Sequence, residues 1–189
     1  MNAGNIAHID ATREDEALAQ AAKDEWAAFE ILYRRFVGRV YRYCYTRTND
    51  AQAAEDLTAQ TFLSAMEGIG RYSRRGSFAA WLFGIASNVC KGYHRYGYRH
   101  RQEPLSEAAQ LVDFDTPAPE QGAYRHDILD CALRVMPQLS EDRQEVLRLR
   151  FLAGLSTAET AAVMGRRQGA VRTLLSRAID DLRERCLDG

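Results

Sequence analysis

Apolar residues recur at intervals of three and four along most of the chain, and no segment requires a strand, so the pattern predicts an all-α protein. Met1 to about Thr12 lacks periodicity and is expected to be disordered. From Glu14 the helical pattern begins, with Leu18, Ala21 and Ala22 leading into Trp26, Phe29, Leu32, Tyr33, Phe36, Val37, Val40, Tyr41 and Cys44. Asp24 is the expected cap of the second part of this stretch. Thr48-Asn49-Asp50 is turn chemistry, and a helix follows from Ala51 to about Gly68, with Ala54, Leu57, Thr58, Phe62, Leu63 and Met66 on its apolar stripe. Arg71 to Ser77, RYSRRGS, reads as a basic loop, with Ser77 capping a helix from Phe78 to about Tyr98. Residues 103–127 carry three of the four prolines and break the pattern, which marks a linker. Helical spacing resumes at Ile128, Leu129, Ala132, Leu133 and Val135 and stops at Pro137. It starts again after Ser140, where Arg143 occupies the position of a capping-box Glu, and continues through Val146, Leu147, Leu149 and Phe151 to Gly154.

The stretch from Leu155 to Arg183 has a more specific form. Ser156 caps a short helix from Thr157 to Met164, Gly165 makes a turn, and a second helix starts near Gln168. Its buried stripe is Val171, Leu174, Leu175, Ala178 and Leu182; its other face shows Arg167, Gln168, Arg172, Thr173, Ser176 and Arg177. This is a helix-turn-helix, whose second helix enters the major groove with its N-terminal residues against base edges. Arginine suits guanine, glutamine suits adenine, and serine or threonine fits either a base or a phosphate. A generic solvated helix face is the alternative reading.

A net charge of −1 hides segregation. Residues 1–30 hold seven acids against two bases, residues 71–102 hold seven Lys/Arg and no acid, and residues 103–127 hold six acids against one arginine. An acid-free basic block recruits phosphate through counterion release. In this block the bases alternate with Tyr72, Tyr93, Tyr96 and Tyr98, the pattern of a surface that holds unpaired bases against aromatic faces. Trp81, Phe78 and Phe83 at helical spacing read as core, whereas Tyr72, in the loop, is the aromatic placed to touch a base. Arg34, Arg35, Arg39 and Arg42 give the first long helix a basic side, which an ordinary solvated face explains as well. The four cysteines, Cys44, Cys90, Cys131 and Cys186, form no CxxC, so no zinc site is predicted and incidental reduced thiols are expected. No run approaches a membrane span and no export signal opens the chain, so a cytoplasmic protein without membrane insertion is expected. No nucleophile–base set, phosphate loop or metal cluster is evident; neither an enzyme nor a cofactor is predicted.

In this order the parts resemble an RNA polymerase sigma factor of the sigma-70 family, extracytoplasmic-function (group 4) class. FEILYRRFVGRVYRYCYTRTND resembles region 2.1, AQAAEDLTAQTFLSAMEGIGRY region 2.2, and GSFAAWLFGIASNVCKGYHR regions 2.3 and 2.4. MPQLSEDRQEVLRLRFLAGLSTAETAAVMG resembles region 4.1 running into 4.2, and GAVRTLLSRAIDDLR the end of 4.2. The resemblance implies region 2 over 14–101, a linker over 102–127 and region 4 over 128–187. It implies core polymerase binding, through the clamp, at Asp56, Gln60, Thr61 and Phe62, with the flap as a second polymerase contact. Recognition and opening of the −10 element would fall to Tyr72, Arg74, Arg75, Ser77, Asn88, Lys91 and Arg95. Reading of the −35 duplex would fall to Arg167, Gln168, Arg172, Thr173, Ser176 and Arg177. The acidic linker would lie in the polymerase channel that RNA later occupies, and an anti-sigma factor is the implied regulator. Two departures from the family pattern stand out: Ala59-Gln60 replaces a Gln-Glu pair, removing a carboxylate from the clamp surface, and Gly92 stands where Asp or Asn is usual. The rival reading is a helix-turn-helix repressor or activator whose first half is a sensor or dimerisation domain.

Overall fold

The computed structural model describes residues 3–73, 76–97, 131 and 134–187, and among these every regular element is helical. The chain divides into two compact units, Met1–Ala109 and Gln110–Gly189.

The first unit contains α1 (Ala3–Ala21), α2 (Trp26–Thr48), α3 (Ala51–Gly68), a 3-10 turn (Ile69–Arg71) and α4 (Phe78–Gly97). The spacing rule works through the middle of α2, where Leu32, Phe36, Val40 and Tyr43 follow one face and are fully buried. They meet Ala54, Leu57, Phe62 and Ala65 of α3 and Leu82, Phe83 and Ala86 of α4 in a shared core. Edge-on ring pairs join the helices: Phe36 to Phe78 at 5.4 Å and Tyr43 to Phe83 at 5.6 Å between centroids. Asn49 ends α2 in the left-handed region (φ 52°), which its short polar side chain tolerates. Asp50 then caps α3, its carboxylate accepting from the Ala53 amide at 2.8 Å. The expected turn at Thr48–Asp50 is thus one helix end and the next helix start in three residues.

Several expectations fail here. The N-terminal segment is helical from Ala3, because once a turn is packed each further residue adds one hydrogen bond to an existing helix. Asp24 is not the cap of α2; that position is Glu25, with no side-chain bond, while Asp24 donates its amide back to Ala21. Leu63 and Met66, assigned by spacing to the apolar stripe of α3, are exposed. Their helix packs through Leu57, Thr58, Thr61, Phe62 and Ala65, so they fall at the margin of the buried arc. Arg35 of α2 pairs with Asp15 (2.9 Å) and Glu14 (3.3 Å) of α1, and the Asp15 contact is the chief cause of its upward pKa shift.

The second unit contains a helical stretch that includes Cys131 and Arg134–Val135, a 3-10 turn (Met136–Gln138), α5 (Glu141–Leu147), a π-helical turn (Arg148–Leu152), α6 (Thr157–Met164) and α7 (Gln168–Leu187). Its core is Leu139, Val146, Leu147, Ala161, Val171 and Ala178, edged by Leu174, Leu175, Ile179 and Leu182. Ser140 takes the N-cap backbone conformation of α5 without a side-chain bond, and Arg143 pairs across to Asp181 of α7 at 2.6 Å. Phe151, expected to continue the buried pattern, is 64% exposed. The π turn shifts the register of that stretch, which turns the ring outward.

The cysteines also depart from expectation. Cys131 and Cys186 form a disulfide, while Cys44 and Cys90 are buried thiols outside any disulfide. The whole linker, 102–127, lies outside the described residues, as do Ile128, Leu129, Ala132, Leu133, Tyr98 and Arg99.

Candidate functional site

The best-defined geometry is the helix-turn-helix. A complete capping box starts α6: the Ser156 hydroxyl accepts from the Glu159 amide at 3.2 Å, and the Glu159 carboxylate accepts from the Ser156 amide at 2.7 Å. The S-x-x-E spacing was present in the chain and marks this start more firmly than Ser156 alone. Gly165 closes α6 at φ +63°, a conformation that favours glycine. The following Arg166 is held to Asp142 at 2.5 Å. Arg143–Asp181 and Arg166–Asp142 therefore tie both ends of the motif to α5.

With Val171 and Ala178 turned into the core, α7 presents Gln168, Arg172, Thr173, Ser176 and Arg177 outward, with Arg167 just before its start, all six exposed. The three-and-four spacing gathers them on one face over the first half of the helix. Thr173 donates its hydroxyl to the Gly169 carbonyl at 3.1 Å, which leaves an oxygen lone pair facing out. Ser176 has a long contact, 3.5 Å, to Asp180.

In the first unit the structure divides the residues assigned to −10 contact. Asn88, Lys91 and Arg95 are exposed at steps of three and four along α4 and share one face. Tyr72 does not join them. It is 4% exposed, packs against Trp81 (5.3 Å) and Phe78 (6.0 Å), and donates its hydroxyl to the Gly76 carbonyl at 3.2 Å. That bond closes the loop on itself, with Gly76 at φ +109°. Ser77 is likewise buried, accepting from the Ala80 amide at 3.2 Å as the helix cap. Both residues build the loop rather than expose it to a base: an aromatic at a loop end next to two core aromatics gains more from burial than from solvent. Arg74 and Arg75 lie outside the described residues.

The assigned polymerase-contact residues also divide. Asp56 and Gln60 are exposed on α3, but Thr61 and Phe62 are core. Thr61 donates its hydroxyl to the Leu57 carbonyl at 2.7 Å, and the Phe62 ring meets Tyr33 edge-on at 4.8 Å. A hundred degrees of rotation per residue carries positions 61 and 62 away from the face that holds 56 and 60. The outward places belong instead to Leu63 (51% exposed) and Met66 (39%), with the half-open Tyr33 beside Phe62. Sequence spacing had put Leu63 and Met66 in the core; their nearness in register to Asp56 and Gln60 was the signal available. Apolar and acidic groups mixed on one surface suit a protein partner, whereas the basic faces of α4 and α7 suit nucleic acid. Among the described residues no helix is long and apolar enough to cross a membrane, and no group of three or more His, Cys, Asp or Glu could hold a metal ion.

Residues 32–100 match sigma-70 region 2, and residues 129–182 match sigma-70 region 4. The chain is 36% identical over 181 residues to the ECF RNA polymerase sigma factor BldN of Streptomyces coelicolor, spanning 93% of this chain and 67% of that one. It is 30% identical over 177 residues to the ECF RNA polymerase sigma factor SigD of Mycobacterium tuberculosis, spanning 91% and 83%. Among solved structures, CnrH in complex with the cytosolic domain of CnrY is similar at TM-score 0.65 and 26% identity, over 89% of this chain and 94% of that one. The sigma factor RpoE in complex with the anti-sigma factor NepR from Bartonella quintana shares the fold at TM-score 0.63 and 23% identity, over 82% and 94%. The match to region 2 occupies the half in which a repressor would carry a sensor or dimerisation domain.

Proposed function

The chain belongs to the sigma-70 family as an extracytoplasmic-function sigma factor that directs RNA polymerase to promoters, and on that premise we propose how its surfaces divide the work. The exposed face of α7 reads the −35 duplex. Arg172 and Arg177 offer forked donors to guanine or phosphate, Gln168 offers a paired donor and acceptor to adenine, and Thr173 and Ser176 complete the contact. Asn88, Lys91 and Arg95 on α4 meet the −10 element: Lys91 and Arg95 take the backbone charge, and Asn88 engages an edge of an unpaired base. Tyr72 and Ser77 act on that element indirectly, by holding the loop before α4 in shape. The core polymerase clamp docks on Asp56, Gln60, Leu63 and Met66, with Thr61 and Phe62 supporting that surface from beneath. No step breaks or forms a covalent bond; the work is binding and capture, in the cytoplasm with the polymerase.

The observation that carries this reading is the separation of chemistries: basic and amide side chains exposed on α4 and α7, acidic and apolar ones on α3. The complexes of CnrH with CnrY and of RpoE with NepR favour an anti-sigma partner here too, one that would compete for the mixed surface of α3. The test is reconstitution. The purified chain added to core polymerase should start run-off transcription on at least one upstream region of its own genome; failure to bind core and to initiate on any would sink the reading. With an active promoter in hand, Asn88→Ala should lower permanganate reactivity of the −10 thymines while leaving the closed complex intact. Unchanged reactivity would remove Asn88 from the opening surface.

A further inference from the structure

The four cysteines form two pairs of opposite character. Cys44 of α2 and Cys90 of α4 lie 3.7 Å apart, both fully buried, with the Cys90 thiol donating to the Cys44 sulfur. That hydrogen bond and burial push the Cys44 thiol above its ordinary pKa, and burial closes both sulfurs to reagents. Cys131 and Cys186 are joined by a disulfide although 55 residues separate them, and both are only half-buried. The bond ties the helical stretch at Cys131 to the last turn of α7. Two polar contacts work beside it, Arg185 donating to the Gln138 side-chain oxygen at 2.8 Å and Arg143 pairing with Asp181 at 2.6 Å, while the neighbouring Ile179 and Leu182 are only partly buried. Arg177, the nearest residue of the DNA-facing set, lies nine residues earlier on the same helix, roughly 14 Å away along its axis. The bond is thus clear of the DNA face but anchors the helix that carries it.

A promoter-directing subunit works beside the chromosome, in a reducing compartment where a protein disulfide is ordinarily transient or regulatory rather than permanent. We propose that Cys131 and Cys186 form a thiol–disulfide switch that sets how firmly the C-terminal end of α7 is anchored, and through it how well the second unit holds −35 duplex. The switch rests on the sigma-factor reading for its consequence, though not for its chemistry. Oxidation uses a low-molecular-weight disulfide. One cysteine thiolate attacks a sulfur of that disulfide and expels one small thiolate; the second cysteine then attacks the protein-side sulfur of the mixed disulfide and expels the other. Two protein thiols lose two protons and two electrons, and one small disulfide becomes two thiols. Reduction runs the same steps backwards.

The test uses the full chain equilibrated in mixtures of glutathione and glutathione disulfide, quenched with an alkylating reagent and mapped by mass spectrometry. Cys131 and Cys186 should pass together from bonded to alkylated within the range of ratios a cytosol spans, while native Cys44 and Cys90 alkylate in neither state. Reduction should raise amide exchange over Asp181–Leu187 by about tenfold. Reconstituted holoenzyme should then initiate several-fold less, and Cys186→Ser should match the reduced protein and ignore the redox state. A bond that never forms in glutathione disulfide, or that survives the most reducing mixture, overturns the switch. So do amide exchange and initiation that are equal in bonded and reduced protein. If no promoter is transcribed in either state, the sigma reading fails, and the thiol map and amide exchange still decide whether the fold responds to oxidation.

Discussion

Phe62 separates packing from contact in the first unit. The resemblance to region 2.2 places it against polymerase, yet it is 5% exposed and its ring meets Tyr33 edge-on at 4.8 Å. Truncation to alanine in a core of this kind costs about 3–5 kcal/mol, of which the aromatic pair accounts for about 0.5–1.5. In a unit the size of Met1–Ala109, each kcal/mol moves the melting midpoint by about 4 °C or more, so Phe62→Ala should lower it by roughly 12 °C or more. Phe62→Leu keeps most of the volume and should cost under about 1.5 kcal/mol. Gln60→Ala, an exposed change, should stay within about 0.5 kcal/mol of the parent. Thermal unfolding followed by circular dichroism measures the first effect. Binding to core polymerase, measured in the cold where all three variants remain folded, measures the second. Phe62→Leu should bind as the parent does, and Gln60→Ala more weakly. The reasoning is refuted if Phe62→Ala melts within a few degrees of the parent while Phe62→Leu loses polymerase binding, because the ring would then be a contact and not a support.

Three further outcomes are expected. Ser156→Ala removes one half of the capping box and should destabilise the second unit by about 1 kcal/mol, seen as faster amide exchange at Glu159; Glu159→Gln, which can still close the box, should cost less, and equal losses would contradict the reciprocal geometry. Gly92→Ala should raise the stability of α4 by about 1 kcal/mol, since a Cβ there meets nothing within 4 Å; a lower melting midpoint would show an unrecognised need for glycine. Arg172→Ala should weaken −35 duplex binding by about 1–3 kcal/mol with core binding unchanged, and a parallel loss of both would contradict the two-surface division.

Helix positions were largely legible because three-and-four spacing reports which residues can share a face. The start of α6 at Ser156, the stop at Gly165 and the outward set on α7 all followed from local chemistry, and the structure places them as expected. The residues assigned to polymerase contact were less legible for a geometric reason. Spacing defines a stripe but not how wide an arc the neighbouring helices cover. Asp56 and Gln60 fell clearly outside that arc; Thr61, Phe62, Leu63 and Met66 lie near its edges, and there α2 and α4 decide. Tyr72 failed in the same way, since a loop aromatic next to basic residues looks available until Phe78 and Trp81 are seen beside it.

By itself the chain determined most of its helices, its two-part order, the segregation of charge and the outward polar set on α7, all of which depend on neighbours in sequence. Tertiary structure alone decided what depends on neighbours in space. It drew Tyr72, Ser77, Thr61 and Phe62 inward and left Leu63, Met66 and Phe151 outside. It also brought Cys131 within bonding distance of Cys186 across 55 residues, a pairing that no spacing rule encodes because it depends on how the chain folds back on itself.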